Sequence, residues 1–159
     1  MNNIKLAKGF IAGIGAFLSA KLGLLYIVLP ILLLAMIFDF CTGMVASKKE
    51  GKISSKTGMW GILKKLMYGV EVLVGVIVDW LILNVTEAIG IEVPTVTFFG
   101  LLVAVWLIIN ELISILENLS RLEIPMAPFL IKIVSGFKVV VEKSGENMAE
   151  KTDSKEERK

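Results

Sequence analysis

LGLLYIVLPILLLAMIFDFCTGMVAS, residues 22–47, carries a single charge, Asp39. A transmembrane helix needs about 20 mostly apolar residues to cross a hydrocarbon core of about 30 Å. This stretch is long enough, and its proline, Pro30, predicts a kink of a kind that membrane helices tolerate. Two similar stretches follow. Leu66–Val85 is apolar apart from Glu71 and Asp79, and a third opens at Pro94 and runs to about Leu116, with Glu111 as its first charge. No Lys or Arg occurs between Leu66 and Ser120. The sequence therefore predicts an all-α integral membrane protein, with spans at about 22–47, 66–85 and 94–116 inside a membrane domain at 22–120.

Composition points the same way. The chain has 159 residues, of which 55% are hydrophobic, and its mean hydropathy is +0.77. A soluble domain of this size has too little interior to hide that much apolar sequence. Charged residues reach 20%, but eleven of the 32 lie in 142–159, so the rest is more apolar than the average. Histidine is absent, which removes the commonest acid–base residue and metal ligand. With Cys41 as the one cysteine, neither an intrachain disulfide nor a cysteine zinc cage can form. There is no phosphate loop and no nucleophile elbow. A net charge of +2 gives no footing for nucleic acid. No enzyme activity, cofactor, metal or nucleic-acid partner is expected.

Charge placement predicts topology. Residues 48–65 hold Lys48, Lys49, Lys52, Lys56, Lys64 and Lys65 against Glu50, and with Gly51, Ser54, Ser55 and Gly58 they read as a loop. Short lysine-rich loops stay in the cytoplasm. The 86–93 connection has Glu87 and Glu92 and no basic residue. Together these place the N-terminus outside and the C-terminus inside. Residues 1–21 read as an amphipathic helix, with Ile4, Phe10, Ile14 and Phe17 opposite Lys5 and Lys8; a cleaved signal peptide is the other reading. Residues 121–143 read as an amphipathic interfacial segment. In it Phe129, Leu130, Ile133, Val134, Phe137, Val140 and Val141 share one arc, a pattern that outweighs the strand preference of the valines. Residues 144–159 have almost nothing to bury and read as a disordered charged tail.

Each span carries a polar stripe. On the first, Asp39, Thr42, Gly43 and Ala46 follow helical spacing; Asp39 could pair with Lys48 or Lys49 at the helix end, or face a pore. Cys41 reads as a small buried hydrophobe. On the second, Tyr68, Glu71, Gly75 and Asp79 share a narrow face. A carboxylate at membrane depth costs about 2.5–3.5 kcal/mol on insertion scales. This face should line water, pair across subunits or be protonated, unless both acids snorkel to the interfaces. With no basic residue assigned to a span, an intramembrane ion pair is not expected. On the third, Asn110, Glu111, Ser114, Glu117, Asn118 and Arg121 form a stripe suited to hydrogen bonding between helices, and Glu117–Arg121 has the spacing of an (i, i+4) pair.

Two blocks resemble a known family. FDFCTGMVASKKEGKISSKTGMWGILKK (Phe38–Lys65) is similar to the signature of phage-lysis and toxin-secretion holins of Gram-positive bacteria and their phages: an aspartate and Thr-Gly at a helix end, then a lysine-rich Ser-Ser…Gly…Gly…Lys-Lys segment. INELISILENLSRLEIPMAPFL (Ile109–Leu130) looks like the second block of that family. Together they cover about a third of the chain in the expected order. The resemblance implies a small cytoplasmic-membrane protein that oligomerises with itself into a lesion. An endolysin or a toxin would leave through it as cargo, and an antiholin would be a further partner. The residues alone leave two alternatives: a channel or transporter subunit using Glu71 and Asp79, and a passive membrane scaffold. Three unlike spans lack the matched halves usual in transporters.

Overall fold

A helix closes its backbone hydrogen bonds within itself, which is what lipid demands of a spanning segment. In the computed structural model, which describes residues 4–8, 12–13, 22–91 and 97–156, every regular element among the described residues is an α-helix. Four long helices follow one another: α1 (Leu25–Lys49), α2 (Ser55–Ala88), α3 (Phe98–Arg121) and α4 (Pro128–Glu156). The first three contain stretches long and apolar enough to cross a membrane: Leu25–Lys49, Gly58–Ala88 and Phe98–Arg121. Only short pieces of 1–21 are described, residues 4–8 and 12–13, both helical; the rest of that predicted helix, and Pro94, lie outside the described residues.

α3 is the central helix. It packs on α1, on α2 and on α4, whereas α1 and α2 barely touch. Leu25 and Leu32 of α1, Val72 of α2, and Ala104 and Leu107 of α3 form the buried apolar cluster. The exterior is apolar as well, with Leu33, Ile37, Leu66, Leu73, Ile77 and Trp80 all exposed. Apolar outside and polar within suits a bilayer.

Several boundaries differ from the sequence reading. The loop predicted at 48–65 is confined to residues 50–54, and Ser55 already begins α2. Lys56, Lys64 and Lys65 are therefore helical, and Gly58 and Gly61 lie within the helix. Residues 86–88, assigned to the acidic connection, finish α2, and the chain turns at Gly90 with φ 76°. Cys41 is exposed rather than buried, because α1 turns its Asp39–Thr42–Gly43 side toward α3.

The segment beyond α3 differs most. α4 runs back along α3 instead of being confined to an interfacial stretch ending at 143, and its helix continues to Glu156 through residues expected to lack structure. Gly145 lets the helices approach: a Cβ there would stand 3.2 Å from Leu102 Cδ2. Trp106 Nε1 donates to Glu142 Oε1 at 3.1 Å, and Lys138 Nζ sits 5.7 Å from the Trp106 ring centroid. Phe129, Ile133, Phe137 and Val140, on the predicted apolar arc, point away from the bundle and are exposed.

Candidate functional site

Two polar centres lie inside the bundle, one toward each end. The first joins α1, α2 and α3. Lys65 Nζ lies 2.9 Å from Asp39 Oδ2 and also bonds Glu111 Oε2. The side chains are 14% exposed for Lys65, 15% for Asp39 and 4% for Glu111. At 1.5 Å per residue, Asp39 and Glu111 each stand about 15 Å along their helices from Lys49 and Arg121, so one lysine on α2 meets both acids at one level. The expected partners of Asp39, Lys48 and Lys49, are not used. Lys48 is exposed and Lys49 turns to Glu123 and to the Leu122 carbonyl. The expectation that no ion pair forms inside the membrane fails for the same reason: Lys65 belongs to a helix, not to a loop.

The network continues toward the Lys49/Arg121 end. Asn118 Nδ2 donates to Asp39 Oδ1 at 2.9 Å and to Thr42 Oγ1 at 3.3 Å. Gly43 makes room, since a Cβ there would sit 3.3 Å from that nitrogen. Arg121 donates from one nitrogen to Asn118 Oδ1 and, through two others, to both oxygens of Glu50 at 2.8 and 3.1 Å. The predicted Glu117–Arg121 pair is replaced by this forked grip on Glu50, which fits guanidinium geometry better than a lateral helix pair does. The Arg121 guanidinium holds the Glu50 carboxyl below its ordinary value. Thus the stripes predicted on the first and third spans face one another. Asn110 and Ser114 are half-buried and Glu117 is exposed.

A cleft of about 380 Å³ reaches this network from the 50–54 turn. Gly43, Gly58 and Gly61 line it, with Asp39 and Lys65 at its inner end. Lys56 and Lys64 stay on the exposed surface at this end, and Lys52 pairs with Glu50 at 3.5 Å.

The second centre is Asp79, 5% exposed on α2. Its Oδ1 accepts from the Phe99 amide and its Oδ2 from the Gly100 amide, both at 2.8 Å. These are among the free N–H groups that begin α3, where the helix dipole also favours a negative charge. Thr97, at the cap position of α3, makes no side-chain capping bond; its hydroxyl donates to the Leu22 carbonyl. Asp79 caps a helix from its neighbour. Gly75 permits that contact, since a Cβ on it would stand 2.9 Å from Gly100 Cα. The predicted stripe of the second span therefore divides. Gly75 and Asp79 are buried against α3, while Glu71 is exposed beside a groove lined by Val103, Trp106, Val141 and Glu142.

The sequence reading missed the interior role of Lys65. The signal was present: the spacing that joins Asp79, Gly75 and Tyr68 reaches Lys65 one turn earlier, and Lys65 Nζ lies 6.0 Å from the Tyr68 ring centroid.

Comparison with known proteins places this architecture. Residues 16–139 match the bacteriophage holin family. The chain belongs to that family. It is similar to an uncharacterized protein of Halalkalibacterium halodurans, at 36% identity over 76% of this chain and 87% of the relative. It also resembles an uncharacterized 14.9 kDa protein from the nagH 3′ region of Clostridium perfringens, at 34% identity over 79% and 87%. An uncharacterized protein of Listeria monocytogenes is 33% identical over 86% and 88%. No solved structure matches. This holin-family chain is an all-helical membrane protein and not an enzyme.

Proposed function

We propose that this holin-family protein assembles with copies of itself in a bacterial cytoplasmic membrane and opens a lesion there. An endolysin or a toxin leaves through the lesion, and lysis follows when the cargo degrades the wall. The supporting observation is the inside-out distribution of polarity. Three apolar helices turn Asp39, Lys65, Glu111 and Asp79 to internal faces and present a mostly apolar exterior, on which the acids Glu71 and Glu117 are exposed. Such a bundle is acceptable in a bilayer, and its internal polar faces would meet water if many copies opened together. The lysine-rich end (Lys48, Lys49, Lys52, Lys56 and Lys64) then faces the cytoplasm and the N-terminus lies outside. A C-terminus inside requires α4 to leave α3 in the membrane, since here it lies along α3 as far as Leu102. An antiholin would act by competing for the assembly contacts.

The channel or transporter alternative loses one of its two carboxylates, because Asp79 is occupied by the amides of α3 and is not open to a passing cation, while Glu71 stays exposed. Induced expression in a bacterium carrying a muralytic enzyme tests the reading. Membrane potential, viability and enzyme release are followed together. A holin gives abrupt depolarisation with release of the enzyme. A flux of one ion alone would favour a transporter, and an unchanged potential would favour a scaffold.

A further inference from the structure

The Lys65 centre brings together two carboxylates and one ammonium. With all three ionised it would carry a net charge of −1, about 15 Å of helix rise from Lys49 and Arg121. Uncompensated charge in a low-dielectric interior is costly enough that a group normally neutralises instead. The other ionisable groups around it do not balance that charge. α1 contributes Asp39, α2 contributes Lys65, Tyr68 and the more distant Glu71, and α3 contributes Glu111. Arg121, the next cation along the network, is committed to Glu50 and Asn118.

The two acids are not equivalent. Asp39 receives a donor on each oxygen, Asn118 Nδ2 on one and Lys65 Nζ on the other, which is the bonding of an ionised carboxylate. Glu111 also has the Lys65 ammonium and the Tyr68 hydroxyl as donors, so what separates it is enclosure: it is the more deeply buried side chain and does not line the cleft. Asp39 and Lys65 do, so an exchange route exists from the 50–54 turn to Lys65 and thence to Glu111.

We propose that Glu111 holds a proton at neutral pH, making the Asp39–Lys65–Glu111 cluster an electrically neutral proton-binding site that exchanges through the cleft. Loss of the proton leaves one negative charge among three helices and loosens the seat of α3 on α1 and α2. The site goes beyond the lesion reading and does not depend on it.

The test is infrared spectroscopy of the full chain in phosphatidylcholine–phosphatidylglycerol vesicles, reading the carbonyl stretch of a protonated carboxyl group. At neutral pH the wild type should show that band, and the band should fade as pH rises. Glu111→Gln should remove it, and Glu71→Gln should leave it in place. Lys65→Gln removes the only cation of the cluster, so both acids should then take protons and the band should roughly double. This second variant reads the same site if Glu111→Gln fails to assemble, with helicity followed by circular dichroism. No band in the wild type at neutral pH overturns the proposal. So does a band that survives Glu111→Gln, one that disappears only in Asp39→Asn, or one unchanged by Lys65→Gln.

Discussion

Asp39 and Asp79 are both aspartates on long apolar helices, and both are answered by α3, yet in different ways. Asp39 meets side chains: the Lys65 ammonium, and the Asn118 amide that leads on to Arg121 and Glu50. Asp79 meets backbone, the amides of Phe99 and Gly100. The first solution needs four side chains on three helices and the turn after α1, and it depends on protonation. The second needs one carboxylate and a helix end that would otherwise leave its donors free. Charge networks of the first kind can be rearranged by water or protons, whereas a cap of the second kind is lost only when the helices part. The Asp79 end is thus the fixed joint of the bundle and the Lys65 end the adjustable one.

The largest effect should come from the adjustable end. Lys65→Met removes the cation that lets Asp39 stay ionised. Forcing a proton onto Asp39 at neutral pH, far above the ordinary aspartate value, should destabilise the bundle by about 3–5 kcal/mol. Denaturant titration in mixed micelles reads this. The cost should shrink as pH falls, because the acids can then be neutralised; a loss independent of pH would mean that Lys65 matters only through packing.

Asp79→Ala uncaps two amides at the joint and should cost about 2–3 kcal/mol, while Asp79→Asn, which keeps an acceptor, should cost about 1 kcal/mol. Hydrogen exchange at Phe99 and Gly100 should accelerate in the alanine variant. Equal costs for the two substitutions would show that the negative charge, and not the hydrogen bonds, holds the joint.

Gly75→Ala places a methyl group 2.9 Å from the Gly100 backbone. Crowding of about 1–3 kcal/mol is partly offset by the helix preference of alanine, about 1 kcal/mol, leaving a loss of about 1 kcal/mol. Cross-linking between cysteines introduced on α2 and α3 should become slower, and an unchanged rate would place the close approach elsewhere.

The smallest effect belongs to the rim. Glu50 is held below its ordinary value by Arg121. What that pair contributes is present above the ordinary glutamate value and is lost as pH falls through the lowered one. Titration of the Glu50 carboxyl by NMR should show the depression, and Arg121→Gln should abolish it. A depressed value that persisted would assign the effect to Lys52.

The three spans were legible because a run of about twenty mostly apolar residues is what crossing a bilayer requires and what a small soluble core cannot hide. The stripes were legible as well, since Asp39–Thr42–Gly43 and Asn118–Arg121 each follow helical spacing. Their mutual contact was not, because spacing gives the face of a helix but not the neighbour to which it turns. Lys65 was hidden by Ser54, Ser55 and Gly58, which read as loop residues yet lie in or next to the first turn of α2. The role of Asp79 was hidden more thoroughly. Its partners are backbone amides, and no residue type at 99 or 100 announces them.

The level at which Asp79 meets Phe99 and Gly100 has a mechanical consequence. α2 continues from Trp80 to Ala88 beyond the start of α3, about 13 Å of further helix. Trp80, Leu81, Ile82 and Val85 on that projection are exposed and apolar. A flat hydrocarbon slab matched to α1 and α3 leaves those residues in headgroups and water. The bilayer must thicken on that side, or the whole bundle must tilt. Such mismatch costs fractions of a kcal/mol per Å and promotes association between helices that share it. Membrane thickness therefore bears first on the overhang of α2, ahead of α1 and α3.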